Sequence, residues 1–123
     1  MAANLYFKTM AKMDKTIRLA EKHCVPCEGG VPAFTKIQIS KYLPKLSKGW
    51  EVMDSKKLRK EFKFKDFVET MGFVNQVALI AQAEDHHPDM HISYSKVLIE
   101  LWTHAVDGLS ENDFILAAKI ERL

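Results

Sequence analysis

Residues 66–104 decide the fold, and they read DFVETMGFVNQVALIAQAEDHHPDMHISYSKVLIELWTH. The first half has apolar residues at helical spacing behind Asp66 and Glu69, an acidic capping pattern, and therefore predicts a long helix. That helix should end near Asp85, because the proline of the following His86-His87-Pro88 motif disfavours helical backbone in the residue before it. Adjacent side chains diverge within a helix or strand, so the two histidines can approach one pocket only at such an exit.

The second half of this stretch changes to strand periodicity. His91–Tyr94 is predicted as a short strand and Val97–His104 as a longer one, while Trp50–Met53 and Lys57–Phe64 upstream fit a hairpin. Three more helices are predicted, over Ile17–Lys22, over Thr35–Leu46 with an irregularity at Pro44, and after Ser110. Grouping neighbouring strands into hairpins gives an α+β fold, a four-stranded antiparallel sheet with helices packed on one face.

Length and composition fit one small domain. The chain has 123 residues, of which 47% are hydrophobic and 28% charged, an ordinary globular balance. We expect residues 16–123 to form this domain and residues 1–15 to be a flexible arm or a remnant of cloning. No apolar run approaches the roughly 20 residues of a membrane helix and no signal peptide is evident, which predicts a protein of the cytoplasm.

The charge is unevenly distributed along the chain. Residues 1–65 carry 15 Lys and Arg against 6 Asp and Glu, whereas residues 66–123 carry 3 against 10. The basic half raises the question of nucleic-acid binding, but residues 56–60 (KKLRK) contain no aromatic side chain on which a base could stack. We therefore predict no direct nucleic-acid binding and interpret this segment as a solvated or partner-facing strand.

Cys24 and Cys27 form a CxxC motif, and no second CxxC is present. With His23 the local sequence offers three zinc ligands at most, fewer than a structural zinc site requires. A thioredoxin-like role is disfavoured because the motif runs into Gly29 and Gly30 rather than into a helix. Two reduced thiols in a turn are the expectation.

Four of the five histidines, His86, His87, His91 and His104, lie within one short acidic stretch. Imidazole titrates near neutral pH, so such a group is typical of proton transfer. Metal binding by both adjacent rings would be awkward without a third well-placed donor, whereas general acid/base chemistry asks less of the geometry. Acid/base chemistry is the better interpretation, with His91 facing solvent or an interface. Asp113 is equally well explained as a capping carboxylate of the last helix.

These residues, at these intervals, closely resemble the pterin-4a-carbinolamine dehydratase family. The motifs that carry the resemblance are His86-His87-Pro88, Tyr94, Thr103-His104, Gly108-Leu109-Ser110-Glu111 and Asp113, with Gly49-Trp50, residues 62–67 (FKFKDF), Gly72-Phe73 and Val77-Ala78 upstream. The lead-in around Cys24, Cys27 and Gly29-Gly30 is similar to the amino-terminal part of many microbial members. The resemblance covers nearly all of the chain from about Met13 onward.

The resemblance implies an enzyme that removes water from a 4a-hydroxytetrahydropterin to give a quinonoid dihydropterin. That reaction recycles the tetrahydrobiopterin of aromatic amino-acid hydroxylases and uses neither a metal nor an organic cofactor. Homodimers or homotetramers are implied as well. The alternative function is that of animal members, which also act as dimerisation cofactors of a homeodomain transcription factor, and it would add a nuclear location.

The resemblance also implies roles for individual residues. His86 and His104 become the acid/base pair, Asp113 an acidic member of the pocket, and His87 chiefly a substrate-binding group. We place Asp85, Met90 and Tyr94 with His87 as substrate-binding residues, although packing is the commoner role for Met90 and Tyr94. Two departures from the family pattern stand out. Gln82 occupies a position that is commonly acidic, and Met90 one that is frequently aromatic.

Overall fold

The computed structural model describes residues 18–26 and 31–123. The predicted arm, residues 1–15, lies outside them, as do Ile17 and Cys27. Within the described part, residues 18–21 are helical. The elements that follow are α1 (Lys36–Tyr42), β1 (Glu51–Met53), β2 (Lys57–Lys63), α2 (Phe67–Glu84), β3 (Asp89–Ser93), β4 (Lys96–Leu101) and α3 (Glu111–Glu121), with short 3₁₀ helices at Leu43–Lys45 and His104–Val106.

The four strands form one antiparallel sheet in the order β1-β2-β4-β3, which confirms the predicted fold class. One face of the sheet is buried under the helices. On β4 the side chains of Val97, Ile99 and Leu101 are fully buried, whereas the alternating Leu98 and Glu100 are half-buried. Phe114 and its neighbours on α3 complete the core, and none of the described helices has the length and hydropathy needed to cross a bilayer.

Helix α2 begins and ends as its sequence predicts. The Asp66 carboxylate accepts the backbone N–H of Glu69 at 2.9 Å, which caps the first turn. At the other end Asp85 adopts a left-handed conformation with φ of 51°, and the backbone N–H of His86 donates to the carbonyl of Ala81 at 3.1 Å. This pattern ends a helix while satisfying its last carbonyls, and it turns the chain so that His86 leaves the helix axis.

The predicted strand ends need two corrections. Tyr94 is not the last residue of a strand but lies in the β3–β4 turn, with φ of 50°. The last strand stops at Leu101, so His104 opens a 3₁₀ helix instead of ending a strand. The cause is a tight loop, in which the backbone N–H of Thr103 donates to the carbonyl of Gly108 at 2.8 Å. A Cβ on Gly108 would lie 2.8 Å from the Cβ of Ala33, so only glycine fits there without movement.

Candidate active site

A cavity of about 540 Å³ opens where α2 ends and where the loop after β4 begins. Four of the residues predicted from sequence line it: Asp85, His86, His87 and His104. Val25, Pro26, Glu84, Trp102, Thr103, Ala105 and Asn112 line it as well. The exit of α2 supplies two imidazoles and the loop after β4 supplies the third, so segments far apart in sequence share one site.

His86 is held by a buried carboxylate. Its Nε2 donates to Oδ1 of Asp113 at 2.7 Å, with the His86 side chain 12% exposed and the Asp113 side chain fully buried. The other oxygen, Oδ2, accepts the hydroxyl of Thr103 at 2.7 Å and the backbone N–H of Ser110 at 3.0 Å. Asp113 is therefore both the capping carboxylate of α3 and the partner of His86. The hydrogen bond orients the His86 ring and leaves Nδ1 as the nitrogen for proton exchange.

His104 lies in a more open setting on the 3₁₀ helix. Its ring packs on Trp102, with ring centroids 3.8 Å apart and an interplanar angle of 36°. Within residues 18–26 and 31–123, no side chain forms a hydrogen bond to the His104 ring, and the indole Nε1 of Trp102 is buried without a partner. Packing therefore restrains the plane of the His104 ring, while its nitrogens are left for a bound molecule or for water.

His87 is exposed and faces back towards α2. Its Nε2 donates to Oε1 of Gln82 at 3.0 Å. The amide oxygen of Gln82 is an uncharged acceptor. His87 thus has a hydrogen-bond partner on the last turn of α2 that carries no charge.

The remaining predicted residues lie elsewhere. Met90 is half-buried against the hydrophobic core, and Tyr94 is 68% exposed in the β3–β4 turn; neither lines the cavity. Asp113 lies behind His86 and contacts it from within the core. His91, interpreted as a solvent or interface residue, is exposed and pairs with Glu100 at 2.8 Å.

Sequence reasoning missed residues 23–26, which we call the strap and whose Val25 and Pro26 form one wall of the cavity. Asn112 accepts the backbone N–H of Val25 at 3.0 Å through Oδ1 and donates to the carbonyl of Val25 at 2.6 Å through Nδ2. Glu84 accepts the backbone N–H of Cys24 at 3.0 Å and contacts His23 at 2.9 Å. These contacts span 60 residues or more of sequence, so no local signal could have revealed them.

Glu84 is an anchor with an altered affinity for protons. Burial alone would raise the pKa of its carboxyl, but the N–H of Cys24, the ring of His23 and the ammonium of Lys119 outweigh that effect. The net result is a Glu84 pKa below its ordinary value. Glu84 therefore anchors the strap as a charged carboxylate at neutral pH.

The described residues contain no group of three or more His, Cys, Asp or Glu side chains arranged to hold a metal ion. The thiol of Cys24 donates to the carbonyl of Asn112 at 3.6 Å, while Cys27 lies outside the described residues, so the expectation for the CxxC motif stays a prediction. What the site offers is imidazoles in two different settings, one fixed by a buried carboxylate and one stacked on an indole.

The fold and the cavity together define an α+β protein with a histidine site at one end of its sheet, and comparison with known proteins gives the family. The family model for pterin 4 alpha carbinolamine dehydratase matches residues 32–123. A protein of Rickettsia bellii named "Putative pterin-4-alpha-carbinolamine dehydratase" is 49% identical over 111 residues, which cover 90% of this chain and 98% of the relative. A relative of the same name from Nitrosospira multiformis is 51% identical over 112 residues, 90% of this chain and 97% of its own.

A solved structure agrees with these sequence matches. The transcriptional coactivator/pterin dehydratase of Brucella melitensis superposes with a TM-score of 0.69 at 35% identity, covering 73% of this chain and 96% of that one. The chain belongs to the pterin-4-alpha-carbinolamine dehydratase family.

Proposed function

We propose that the protein removes water from a 4a-hydroxytetrahydropterin by histidine general acid/base catalysis, and so recycles tetrahydrobiopterin for aromatic amino-acid hydroxylases. Two observations carry the proposal: His86, His87 and His104 share one cavity, and the fully buried Asp113 holds His86 from behind at 2.7 Å. Membership of the family supports the same reaction.

The reaction needs one proton accepted and one donated. We assign the base to His86, because a carboxylate on Nε2 orients the ring and stabilises the imidazolium that forms when Nδ1 takes a ring-nitrogen proton from the pterin. His104 is assigned as the acid that donates to the departing hydroxyl, since its ring is exposed and regains a proton from water. One proton is taken and one is given, so water leaves and the quinonoid dihydropterin remains.

His87 and Asp85 are assigned to substrate binding because both line the cavity at the end of α2. Met90 and Tyr94 are predicted from sequence for the same role, and in one chain neither reaches the cavity. For these two residues the substrate-binding proposal therefore requires a second copy of the chain or a movement of the β3–β4 turn.

Assembly into dimers or tetramers is part of the proposal. Exposed apolar side chains on the sheet face away from the core would support assembly. The two candidates there, Leu98 and Trp102, are half-buried and give assembly little support. Helix α2 gives more support, because its Val68 is 80% exposed and its Leu79 is 73% exposed. These residues are eleven positions apart, about three helical turns, so they lie on the same side of the helix. Sedimentation at micromolar concentration should give at least two chains, with Leu79→Glu lowering the mass. A monomeric wild-type protein would contradict this.

The alternative function is binding to a protein partner as a dimerisation cofactor, with a nuclear as well as a cytoplasmic location. The Brucella protein is described as both a transcriptional coactivator and a pterin dehydratase, and the apolar side of α2 is a surface that a partner could cover. Two variants separate the two functions. His104→Ala, inside the cavity, should lower catalysis and leave binding to α2 unchanged, whereas Leu79→Glu, outside the cavity, should weaken that binding.

The experiment that tests the enzyme is addition of the purified protein to a phenylalanine hydroxylase reaction, followed by the decay of the carbinolamine absorbance. We expect accelerated decay that survives exhaustive chelation, and loss of kcat in His104→Ala by about 10²- to 10⁴-fold. His87→Ala should raise KM more than it lowers kcat. A folded His104→Ala protein with unchanged turnover would remove His104 from the mechanism, and stoichiometric metal required for activity would overturn the mechanism altogether.

A further inference from the structure

The strap, residues 23–26, lies upstream of the region that the family model matches, yet it reaches the cavity. The family model begins at residue 32. Val25 and Pro26 nevertheless line the same cavity as His86 and His104. A segment outside the region that the family model matches is therefore placed to meet whatever the histidines act upon.

Two anchors hold the strap, and each lies within two residues of a member of the His86–Asp113 pair. Asn112 directly precedes Asp113 and is only 5% exposed. Glu84 comes two residues before His86 and accepts the backbone N–H of Cys24. The position of the strap is thus tied to the same two helix ends that position His86.

Asn112 satisfies both backbone polar groups of Val25 with one side chain, by accepting at 3.0 Å and donating at 2.6 Å. Such a two-point contact fixes the backbone, and the proline that follows restricts it further. The Val25 residue itself is 66% exposed. An exposed apolar side chain on a fixed backbone at the rim of a cavity is suited to contact with an apolar part of a ligand.

We propose that the Val25-Pro26 wall contacts the pterin and that Asn112 is a positioning residue that holds this wall in place. The inference rests on the proposed dehydratase function, because it names the ligand as a pterin, whose flat ring offers apolar faces. The Val25-Pro26 wall contributes binding and takes no part in proton transfer, so its loss should appear in KM and Kd and leave kcat nearly unchanged.

The chain provides a matched control, because the dipeptide Val-Pro occurs twice. Val31-Pro32 is also exposed, with Val31 at 54%, but it does not line the cavity. The full-length variant Val25→Ser/Pro26→Ser is compared with Val31→Ser/Pro32→Ser. Both replace exposed residues, so both should fold. We expect KM for the carbinolamine and Kd for dihydrobiopterin, measured by calorimetry, to rise about 3- to 10-fold in the first variant only.

Asn112→Ala tests the positioning role and should raise KM and Kd in the same direction with kcat within about twofold of wild type. Val31→Ser/Pro32→Ser serves as the control here too and should match wild type. Asn112→Ala combined with Val25→Ser/Pro26→Ser should bind the pterin no more weakly than the weaker of the two parents, because both changes remove the same contact. Fully additive losses would mean that Asn112 acts on the pterin by another route.

Two results would overturn the inference. If wild-type protein binds dihydrobiopterin and turns over the carbinolamine while the Val25→Ser/Pro26→Ser variant matches it in KM and Kd, the wall does not contact the pterin and only this inference falls. If wild-type protein neither binds the pterin nor accelerates carbinolamine decay, the proposed function falls and takes the inference with it.

Discussion

Three histidine–carboxylate pairs of nearly equal length lie in three different surroundings. The distances are 2.7 Å for His86–Asp113, 2.9 Å for His23–Glu84 and 2.8 Å for His91–Glu100. In the first pair both side chains are largely buried, in the second only the carboxylate is, and in the third the imidazole is 63% exposed. Contact distance alone therefore does not identify a functional histidine. What separates the pairs is burial and the other partners of each carboxylate.

Removal of the imidazole should give the largest difference between the pairs. His86→Ala is expected to lower kcat by about 10²- to 10⁴-fold, because it removes the proposed base while Asp113 stays in place. His91→Ala should leave kcat unchanged, since His91 lies outside the cavity. Steady-state carbinolamine assays on both folded variants decide the matter. Equal losses in the two variants would show that burial does not single out the catalytic pair.

Replacement of the carboxylate comes next in expected effect. Asp113 is fully buried and bonds to His86, Thr103 and the backbone of Ser110. Asp113→Asn should lower the free energy of unfolding by about 1.5–3 kcal/mol, the usual cost of losing hydrogen bonds to a charged group. Glu100→Gln, at the exposed pair, should change it by less than about 0.5 kcal/mol. Urea unfolding of both variants at neutral pH measures the difference, and similar costs would contradict it.

The elements that can be predicted from sequence are those whose signals are local. Helix α2 is predictable because the Asp66 cap, the helical spacing and the proline after His87 all lie within the element or next to it. The hairpins are predictable because the alternation of apolar and polar residues is a local property. The exact ends of their strands are not predictable in this way. The left-handed turn at Tyr94 and the loop closed between Thr103 and Gly108 depend on contacts with neighbouring strands and with Ala33.

The site shows the same division. His86, His87 and His104 follow from residue type and from the family resemblance, and the structure brings them to one cavity. Sequence alone does not decide whether Asp113 caps helix α3 or contacts an imidazole of the pocket. In the structure it does both, because the two contacts use different oxygens of one carboxyl group. The strap could not be predicted, since Asn112 reaches Val25 across 87 residues. Pairing at that separation follows from the packing of the whole chain.

The His23–Glu84 pair should show its effect in the pH dependence of stability. The pKa of Glu84 lies below its ordinary value of 4.5, so the folded protein holds fewer protons on this carboxyl than the unfolded chain does. The stabilisation is therefore present above that value and is lost as pH falls through the folded pKa. Glu84→Gln should lower stability by about 1 kcal/mol at neutral pH and flatten the acid slope.

Urea unfolding at a series of pH values from neutral to about 3.5 measures this slope. Glu111, whose pKa is also lowered, is present in both proteins, so the difference between wild type and Glu84→Gln isolates Glu84. Unchanged acid slopes would mean that the charge on Glu84 does not stabilise the fold.

The exposed pair should give the smallest effect of the three. His91 on β3 lies opposite Leu98 on β4, and its side chain reaches diagonally to Glu100 of β4. The pair lies on the sheet face away from the core, and the imidazole is largely in water. Exposed ion pairs gain little because water screens the attraction and both side chains lose rotational freedom. A double-mutant cycle with His91→Ala and Glu100→Ala should give a coupling of about 0.2–1 kcal/mol that shrinks as sodium chloride is raised from low concentration to about 1 M. A coupling energy above this range, or one that does not change with salt concentration, would mean that the pair is shielded from water. A second copy of the chain covering this face would shield it in that way.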